Sequence, residues 1–220
     1  MSEAIATFGS GGGEPYARAL ERDAGVLYLH AVDGGVAAMD LRRWSGDADA
    51  TDMDLLRRLR GPVLDIGCGP GRMVKAAAAM GLRARGIDVS PTVVRRARSA
   101  GLDVVLASVF DAIPDEGAWR SALLVDGNIG IGGDPGALLA RCREVLHPRG
   151  EIIVETHADA GRDRAFLGAV VGEDGGESAV FPWAEVGIAA LARIAAGHGL
   201  RAVQRWDSAG RTFCRLRTAR

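Results

Sequence analysis

The segment VLDIGCGPGR, residues 63–72, places a short apolar run directly before three closely spaced glycines. An apolar run of this length is typical of a buried strand. The glycines (Gly67, Gly69 and Gly71) allow the backbone to turn sharply and to approach a ligand closely. In open α/β sheets, ligands bind beyond the carboxyl ends of the strands. The segment therefore predicts a parallel α/β architecture with a binding site at this loop.

The loop departs from the dinucleotide pattern G-x-G-x-x-G in two ways. Its third glycine, Gly71, comes one position early, and Arg72 stands where that pattern has glycine. Asp65 lies inside the preceding strand, close to the helix N-terminus where a dinucleotide places its pyrophosphate. A carboxylate there repels phosphate and favours a cation. The two departures indicate a ligand that carries positive charge and no phosphate.

A second acidic residue has the spacing of a ribose ligand. The next predicted strand, RARGIDV, ends at Asp88, about 20 positions after the first glycine, where an acid binds the ribose hydroxyls. Ser90 is the predicted cap of the following helix, so Asp88 is not needed for that role. The glycine loop and Asp88 together predict a nucleoside-binding site. S-adenosylmethionine fits it, because it contains adenosine, a sulfonium and an α-ammonium group.

Strands and helices alternate regularly from Pro62, which predicts β-α-β units with right-handed crossovers. The five predicted strands are PVLDIG, RARGIDV, LDVVLAS, SALLVDG and EIIVETH, and LRAVQRWDS with RTFCRLRTA forms a terminal hairpin. A polar, glycine-rich connection is expected from Ala158 to Ser178, followed by the helix WAEVGIAALARIAAG. No repeat and no second core is evident. The chain is predicted to form one α/β domain.

The residues before Pro62 are predicted to form an accessory segment. FGSGGGE, residues 8–14, has the composition of a mobile tail, and PYARALERDAG is helical. VLYLHAVD and VAAMDLRRW form a predicted hairpin at Gly34–Gly35, and DADATDMDLLRRLRG is a helix ending at Gly61. The expected division is a tail and lid over residues 1–61 and an α/β domain over residues 62–220.

The segments VLDIGCGPGR, GIDVS and REVLHPRGEIIVE together resemble the successive motifs of class I S-adenosylmethionine-dependent methyltransferases, from about Pro62 to Thr156. The resemblance implies a Rossmann-like, mostly parallel sheet of seven strands, with strand order 3-2-1-4-5-7-6, strand 7 antiparallel and helices on both faces. It also implies that the glycine loop contacts the methionine part of the cofactor, that Asp88 binds the ribose, and that residues after the third strand flank the adenine. The family often carries an acid there. This chain has Ser108, which can still hydrogen-bond to an adenine amino group.

Resemblance and position together give a set of candidate site residues. The predicted cofactor-binding residues are Asp65, Gly67, Cys68, Gly69, Gly71, Asp88, Val89, Ser108, Val109, Phe110, Asp126, Gly127 and Asn128. His157 directly follows the fifth strand and is the candidate general base, and Asp126 is a second candidate catalytic residue. The predicted substrate-lining residues are Tyr16, Arg43, Trp44, Phe181 and Trp183. No metal site is expected.

Composition narrows the class of partner. The net charge of -1 gives no bulk attraction to nucleic acid or to an anionic membrane. The three cysteines lack the spacing of zinc ligands and suggest reduced thiols. Neither a signal peptide nor an apolar membrane span is evident in the sequence. A cytoplasmic location is therefore expected.

The predicted function is methyl transfer from S-adenosylmethionine to a small-molecule acceptor by in-line displacement, which yields S-adenosylhomocysteine. Two alternatives stay open: a non-catalytic S-adenosylmethionine-binding module and an NAD(P)-dependent Rossmann oxidoreductase. The sequence does not identify the acceptor, the atom that is methylated or the oligomeric state.

Overall fold

The computed structural model describes residues 7–8, 15–22 and 26–219 of the chain. The strands are β1 (Leu27–Ala31), β2 (Val36–Met39), β3 (Val63–Ile66), β4 (Ala84–Asp88), β5 (Val104–Leu106), β6 (Trp119–Leu124), β7 (Leu146–Thr156), β8 (Asp163–Gly172), β9 (Phe181–Val186), β10 (Leu200–Ser208) and β11 (Arg211–Thr218). The helices are α1 (Pro15–Arg22), α2 (Leu41–Ser45), α3 (Ala50–Arg57), α4 (Arg72–Ala79), α5 (Pro91–Ser99), α6 (Pro135–Val145) and α7 (Ile188–Gly197). A 3₁₀ segment, Asn128–Gly133, follows β6 and is kinked at Ile131 and Gly132. No helix in these ranges is long and apolar enough to cross a membrane.

The main sheet has seven strands in the order β10-β11-β7-β6-β3-β4-β5. Strands β3 to β7 are parallel to one another, and β11 is antiparallel to both β7 and β10. Counted along the chain, this is the order 3-2-1-4-5-7-6, so the predicted topology is confirmed. The strand order reverses between β3 and β6, and this reversal creates a crevice at their carboxyl ends.

The central strands are buried on both faces, as their continuous apolar runs predict. Alternate residues enter two separate cores. Ala122 and Leu124 of β6 pack on one face of the sheet with Leu64 and α6, while Leu123 packs on the other face with Val63 and α4. The rigid sheet therefore fixes the loops at its carboxyl edge.

The helix starts at this edge follow local capping rules. The Val93 backbone N–H donates to Ser90 Oγ (3.5 Å), and Pro91 occupies the first turn of α5, as predicted. The Ala137 backbone N–H likewise donates to Asp134 Oδ1 (2.9 Å) at the start of α6. These caps end the loops after β4 and β6 at defined positions.

A second sheet, in the order β2-β1-β8-β9, was not predicted. The expected connection from Ala158 to Ser178 contains β8, and the segment WAEV belongs to β9 rather than to the helix, which begins only at Ile188. The first error arises because β8 is stabilised by pairing with β1, more than 120 positions earlier, so no local pattern reveals it. The second follows from the first, because β9 pairs with β8. This sheet has its own apolar cluster, and the expectation of no second core was wrong.

Two boundaries in the N-terminal segment also differ. The second strand of the predicted hairpin ends at Met39, because Asp40 starts α2 by accepting a hydrogen bond from the Arg43 backbone N–H (3.0 Å). The helix expected to end at Gly61 ends at Arg57. Of the predicted tail, only Phe8 lies within the described residues.

Strand β9 packs closely on the 3₁₀ segment because that segment is rich in glycine. A Cβ at Gly130 would lie 2.7 Å from Trp183 Cε2, and one at Gly133 would lie 2.8 Å from Pro182 Cβ. The glycines after β6 thus serve as the contact surface for the second sheet.

Gly130→Ala is expected to lower the free energy of unfolding by about 1–3 kcal/mol, the usual cost of overpacking a close contact. Gly197→Ala is the matched control, since a Cβ there meets no atom within 4 Å. Urea denaturation of both variants measures the difference. Equal stability of the two would contradict the proposed packing of β9.

Candidate functional site

A cleft of about 340 Å³ lies at the crevice between β3 and β6. It is lined by the loops that follow β3, β4, β5, β6 and β7, and by residues of the second sheet. The lining includes every predicted cofactor-binding residue except Gly71, together with Tyr16, Trp44, His157 and Trp183. The predicted residues Gly71, Arg43 and Phe181 lie outside this lining.

The glycine loop adopts a conformation that favours glycine. Gly67 and Gly69 have φ values of 68° and 54°, in the left-handed region. Asn128 Nδ2 donates to the carbonyls of Ile66 (2.8 Å) and Gly67 (3.0 Å), and so ties the loop to the segment after β6. Asn128 thus positions the loop.

Gly71 has a structural role at the start of α4. Its φ is 93°, and a Cβ there would lie 2.6 Å from Leu102 Cδ1. The early third glycine is therefore required by the packing of the helix start against the chain that leads to β5, and the residue does not line the cleft.

Asp88 is oriented toward the cleft by backbone donors. The Gly69 N–H donates to Asp88 Oδ2, and the Ser90 N–H donates to Oδ1, both at 2.9 Å. Burial raises the pKa of this carboxyl, and the hydrogen bonds from Ser90, Gly69 and Val89 oppose the rise. The carboxylate joins the end of β4 to the glycine loop at the spacing expected of a ribose ligand.

Asp65 is a buried acid on β3, with 3% of its surface exposed. Burial, with the nearby charges of Asp126 and Asp88, raises its pKa to about 8. Burial and the same kind of acidic surroundings also raise the pKa of the Cys68 thiol well above its usual value. The cleft beside the glycine loop is therefore acidic, and a bound cation would stabilise the ionised form of Asp65.

The loop after β5 forms the third side of the cleft. Ser108 Oγ accepts a hydrogen bond from the Phe110 N–H (3.2 Å), and Val109 is buried. Phe110 is 44% exposed, and its ring lies close to Gly132, where a Cβ would come within 3.0 Å of Phe110 Cε2. An apolar, partly aromatic wall thus lies beside a serine hydroxyl.

A cluster of six charged side chains, here called the ionic cluster, lies beside the cleft. Its members are Arg43, Asp52, Arg72, Asp126, Glu155 and Arg211. Arg72 is 5% exposed and pairs with both Asp52 and Asp126. The residue that breaks the dinucleotide pattern is therefore an internal ion-pair partner.

The other two arginines complete the ionic cluster. Arg211 Nη2 lies 2.6 Å from Glu155 Oε2 and its Nη1 lies 2.8 Å from Asp52 Oδ1. Arg43 Nε donates to Asp126 Oδ1 (3.1 Å), which explains why this predicted substrate-lining residue does not line the cleft. Sequence patterns did not identify Asp52, Glu155 and Arg211 as members of the ionic cluster. The one sequence feature that pointed to this cluster was Arg72, which stands where the dinucleotide pattern has glycine.

The ionic cluster also fixes the backbone of Asp126. This residue has a φ of 54°, which is uncommon outside glycine, and its N–H donates to Glu155 Oε2 (2.8 Å). Both carboxylate oxygens of Asp126 contact arginines. Asp126 is therefore held in place at the crevice by partners from four elements of the fold.

Aromatic rings gather at the part of the cleft formed by the N-terminal segment and β9. The Phe8 ring centroid lies 5.0 Å from Tyr16, 6.4 Å from Trp44 and 5.7 Å from Trp183. Phe181 is 1% exposed and packs behind Phe8, which explains why it does not reach the cleft. A Cβ at Gly69 would lie 3.4 Å from the Tyr16 hydroxyl, so this ring reaches the glycine loop.

His157 lies at the carboxyl end of β7 and lines the cleft, as expected. The Asp159 backbone N–H donates to its Nδ1 (3.0 Å). A neutral imidazole that accepts at Nδ1 carries its proton on Nε2. In this arrangement Nε2 is a hydrogen-bond donor, and the general-base role stays a prediction. No group of three or more His, Cys, Asp or Glu side chains within the described ranges is arranged to hold a metal ion.

Comparison with curated proteins finds relatives over part of the chain. It is 31% identical over 119 residues to a ubiquinone biosynthesis O-methyltransferase of Xylella fastidiosa, covering 51% of this chain and 47% of that protein. It is 28% identical over 156 residues to the Xanthomonas oryzae protein of the same name, covering 63% and 64%. The matches thus span about half to two thirds of these relatives.

Solved structures share the fold over a longer stretch. A SAM-dependent methyltransferase from Bacteroides fragilis, in complex with S-adenosyl-L-homocysteine, has a TM-score of 0.79 at 18% identity and covers 99% of this chain and 98% of its own. The 1,6-didemethyltoxoflavin-N1-methyltransferase of Burkholderia thailandensis has a TM-score of 0.57 at 19% identity and covers 78% of each chain.

A family model described as a methyltransferase domain matches residues 63–150. This range begins at β3 and contains the glycine loop, Asp65, Asp88 and the segment after β6. The chain thus contains a methyltransferase domain at residues 63–150 and shares its fold with a SAM-dependent methyltransferase of known structure.

Proposed function

We propose that this protein transfers a methyl group from S-adenosylmethionine to a small-molecule acceptor and releases S-adenosylhomocysteine. The observation that carries the proposal is the pair of carboxylates, Asp65 and Asp88, on either side of the glycine loop in one cleft. Asp88 suits a ribose hydroxyl pair, and Asp65 suits the positive charge of an amino acid ammonium. When bound, the cofactor supplies a methyl group already activated by a sulfonium.

The charge distribution disfavours a dinucleotide. A pyrophosphate needs cations or free N–H groups at the start of the helix. Among the described residues that line the cleft, Arg72 is the one arginine or lysine, and it is held by Asp52 and Asp126. A phosphate placed there would meet Asp65 and Asp126 without a free cation. The oxidoreductase alternative has no support in this geometry.

Roles for the remaining residues follow from their positions. Gly67, Cys68 and Gly69 are proposed to contact the methionine part, with Asn128 holding the loop from behind. The residues proposed to surround the adenine are Val89, Ser108, Val109 and Phe110. Asp126 and Gly127 are proposed to line the transfer end, which is the part of the cleft where the methyl group would pass to the acceptor. Residues 1–61 are proposed to cover the cleft, since Phe8, Tyr16 and Trp44 line it from that side.

Methyl transfer requires alignment of the acceptor and exclusion of water more than proton transfer. We infer that His157 contributes a donor at Nε2 that orients the acceptor, and that Asp126, fixed by its arginine partners, shapes the transfer end.

Asp88→Ala is expected to weaken S-adenosylhomocysteine binding by about 1–3 kcal/mol, because charged hydrogen bonds to the ribose are lost. Isothermal titration calorimetry measures this. Asp103→Ala is the control, since Asp103 precedes β5 at the opposite edge of the sheet and pairs with Arg85. Unchanged affinity in Asp88→Ala would refute the ribose assignment, and S-adenosylhomocysteine binding without transfer to any acceptor would favour a non-catalytic binding module.

Asp65→Asn is expected to stabilise the ligand-free protein at high pH and to weaken S-adenosylhomocysteine binding. The folded-state pKa of about 8 lies above the unfolded value of about 3.9, so the unfolded state loses its proton first as pH rises. The free energy of unfolding of the native sequence should therefore fall between about pH 4 and pH 8, by at most about 1.4 kcal/mol per unit from this group.

Urea denaturation at pH 5, 7 and 9 tests this expectation, with the variant gaining most at pH 9. Asp47→Asn is the control, because Asp47 is exposed in its pair with Lys75 and contributes little. A variant less stable than the native sequence at pH 9 would show that Asp65 is ionised and paired in the fold.

His157→Gln is expected to keep methyl transfer within about tenfold of the native rate, because glutamine retains an N–H donor, whereas His157→Ala should raise the KM of the acceptor. A general base contributes about 10²-fold or more, and its loss would reduce kcat equally in both variants. Steady-state kinetics at saturating cofactor separate the donor role from the base role.

A further inference from the structure

The part of the cleft outside residues 63–150 is here called the acceptor end. Its described lining is mainly apolar and aromatic and includes Phe8, Leu29, Met39, Trp44, Pro182 and Trp183. These side chains come from the N-terminal segment and from the second sheet (β1, β2 and β9), which therefore form its walls. Flat rings at this spacing favour a flat ligand that can stack or meet them edge to face.

The indole of Trp183 is held firmly on one side. A Cβ at Gly130 would lie 2.7 Å from both Cε2 and Nε1 of Trp183, so the ring lies directly against the segment that follows β6. The Phe8 ring centroid lies 5.7 Å from that of Trp183, with the planes tilted by 43°. Trp183 thus lines the cleft in contact with the 3₁₀ segment after β6 and close to Phe8.

The charged groups near the acceptor end are all engaged. Glu155 Oε1 accepts from Arg211 Nε (2.7 Å), and Glu185 Oε2 accepts from Arg162 Nε (2.7 Å). Arg72, the one arginine or lysine among the described cleft-lining residues, is held by two carboxylates. An anionic acceptor would therefore find carboxylates and no available cation.

Acceptors that must lose a proton need a base. Glu155 and Glu185, the acids of the acceptor end, are already paired with arginines, so neither is available to take a proton from a phenol or a protonated amine. The tautomer of His157 that fits the Asp159 hydrogen bond offers a donor rather than a base. The site suits an acceptor whose lone pair is available without deprotonation.

Building on the proposed methyl transfer, we propose that the acceptor is an uncharged planar heteroaromatic compound that is methylated on a ring nitrogen, and that the aromatic rings of the acceptor end stabilise the cationic product. The carbon–sulfur bond breaks as the carbon–nitrogen bond forms. The nitrogen lone pair makes the new bond, and the sulfur keeps the electron pair of the old one. The positive charge passes from sulfur to nitrogen, and no proton moves.

The aromatic rings of the acceptor end would then attract the positively charged product. A cation within about 6 Å of a ring face is attracted by its electron density, more strongly when water is excluded. Trp183 and Trp44, both half-buried, are the tryptophans that line the cleft.

Three bicyclic probes of similar shape test the proposal with the full-length protein: isoquinoline, 2-naphthol and 2-naphthoate. With saturating S-adenosylmethionine, isoquinoline is expected to be methylated on nitrogen at a rate that does not rise as the pH increases above neutrality. With S-adenosylhomocysteine bound, N-methylisoquinolinium should bind on the order of tenfold more tightly than 2-naphthoate, by calorimetry. Turnover of 2-naphthol alone, or binding of 2-naphthoate as tight as that of the cation, would overturn the proposal.

Trp183→Leu is expected to weaken N-methylisoquinolinium binding on the order of tenfold while leaving S-adenosylhomocysteine affinity unchanged. Trp206→Leu is the matched control, since Trp206 is also half-buried but stacks on Phe213 away from the cleft. Equal effects of the two variants would count against the acceptor end. A protein that binds no S-adenosylhomocysteine at all would refute the proposed methyltransferase function rather than this inference.

Discussion

The Arg72 guanidinium, held between Asp52 and Asp126, is the interaction on which the geometry of the cleft depends. It joins α3, α4 and the end of β6, and Arg211 of β11 extends the same network to Glu155 of β7. Burying charges is costly, and paired buried charges are weak evidence for stability. What this network provides is a fixed arrangement, because each carboxylate has a donor that only one packing satisfies.

Because of this network, the acids on one side of the cleft are paired with arginines and those beside the glycine loop are not. Asp126 and Glu155 are neutralised by arginines. Asp65 and Asp88, beside the glycine loop, have no arginine partner among their described contacts, and Asp88 accepts hydrogen bonds from backbone N–H groups. A cation is therefore favoured at the loop, where Asp65 has a pKa of about 8 in the ligand-free protein. Toward Trp44 and Trp183 the surroundings are aromatic, and the acids there are already paired.

Most of the main sheet was predictable from the chain because its information is local. The glycine loop, the Ser90–Pro91 helix start and Asp88 lie within 30 positions of one another, and each has a pattern set by backbone geometry. β8 was missed because it pairs with β1, which is distant in sequence; β9 pairs with β8, so it could not be recognised while β8 was taken for a connection, and it also packs on the glycines after β6. Those glycines look like a flexible connection until the strand that packs on them is known.

The sequence by itself determined the fold class, the strand order implied by the resemblance, and the cationic, phosphate-free character of the cofactor loop, since backbone turns and fixed charges are read directly from residue types. The tertiary structure alone decided which side chains of the acceptor end meet, and which charges remain without a partner. Arg43 and Arg72 illustrate the reason. The sequence shows that both carry positive charge, but only the folded structure shows that both pair with Asp126. The same holds for His157, whose proton position follows from a backbone N–H that becomes a neighbour only in the folded chain.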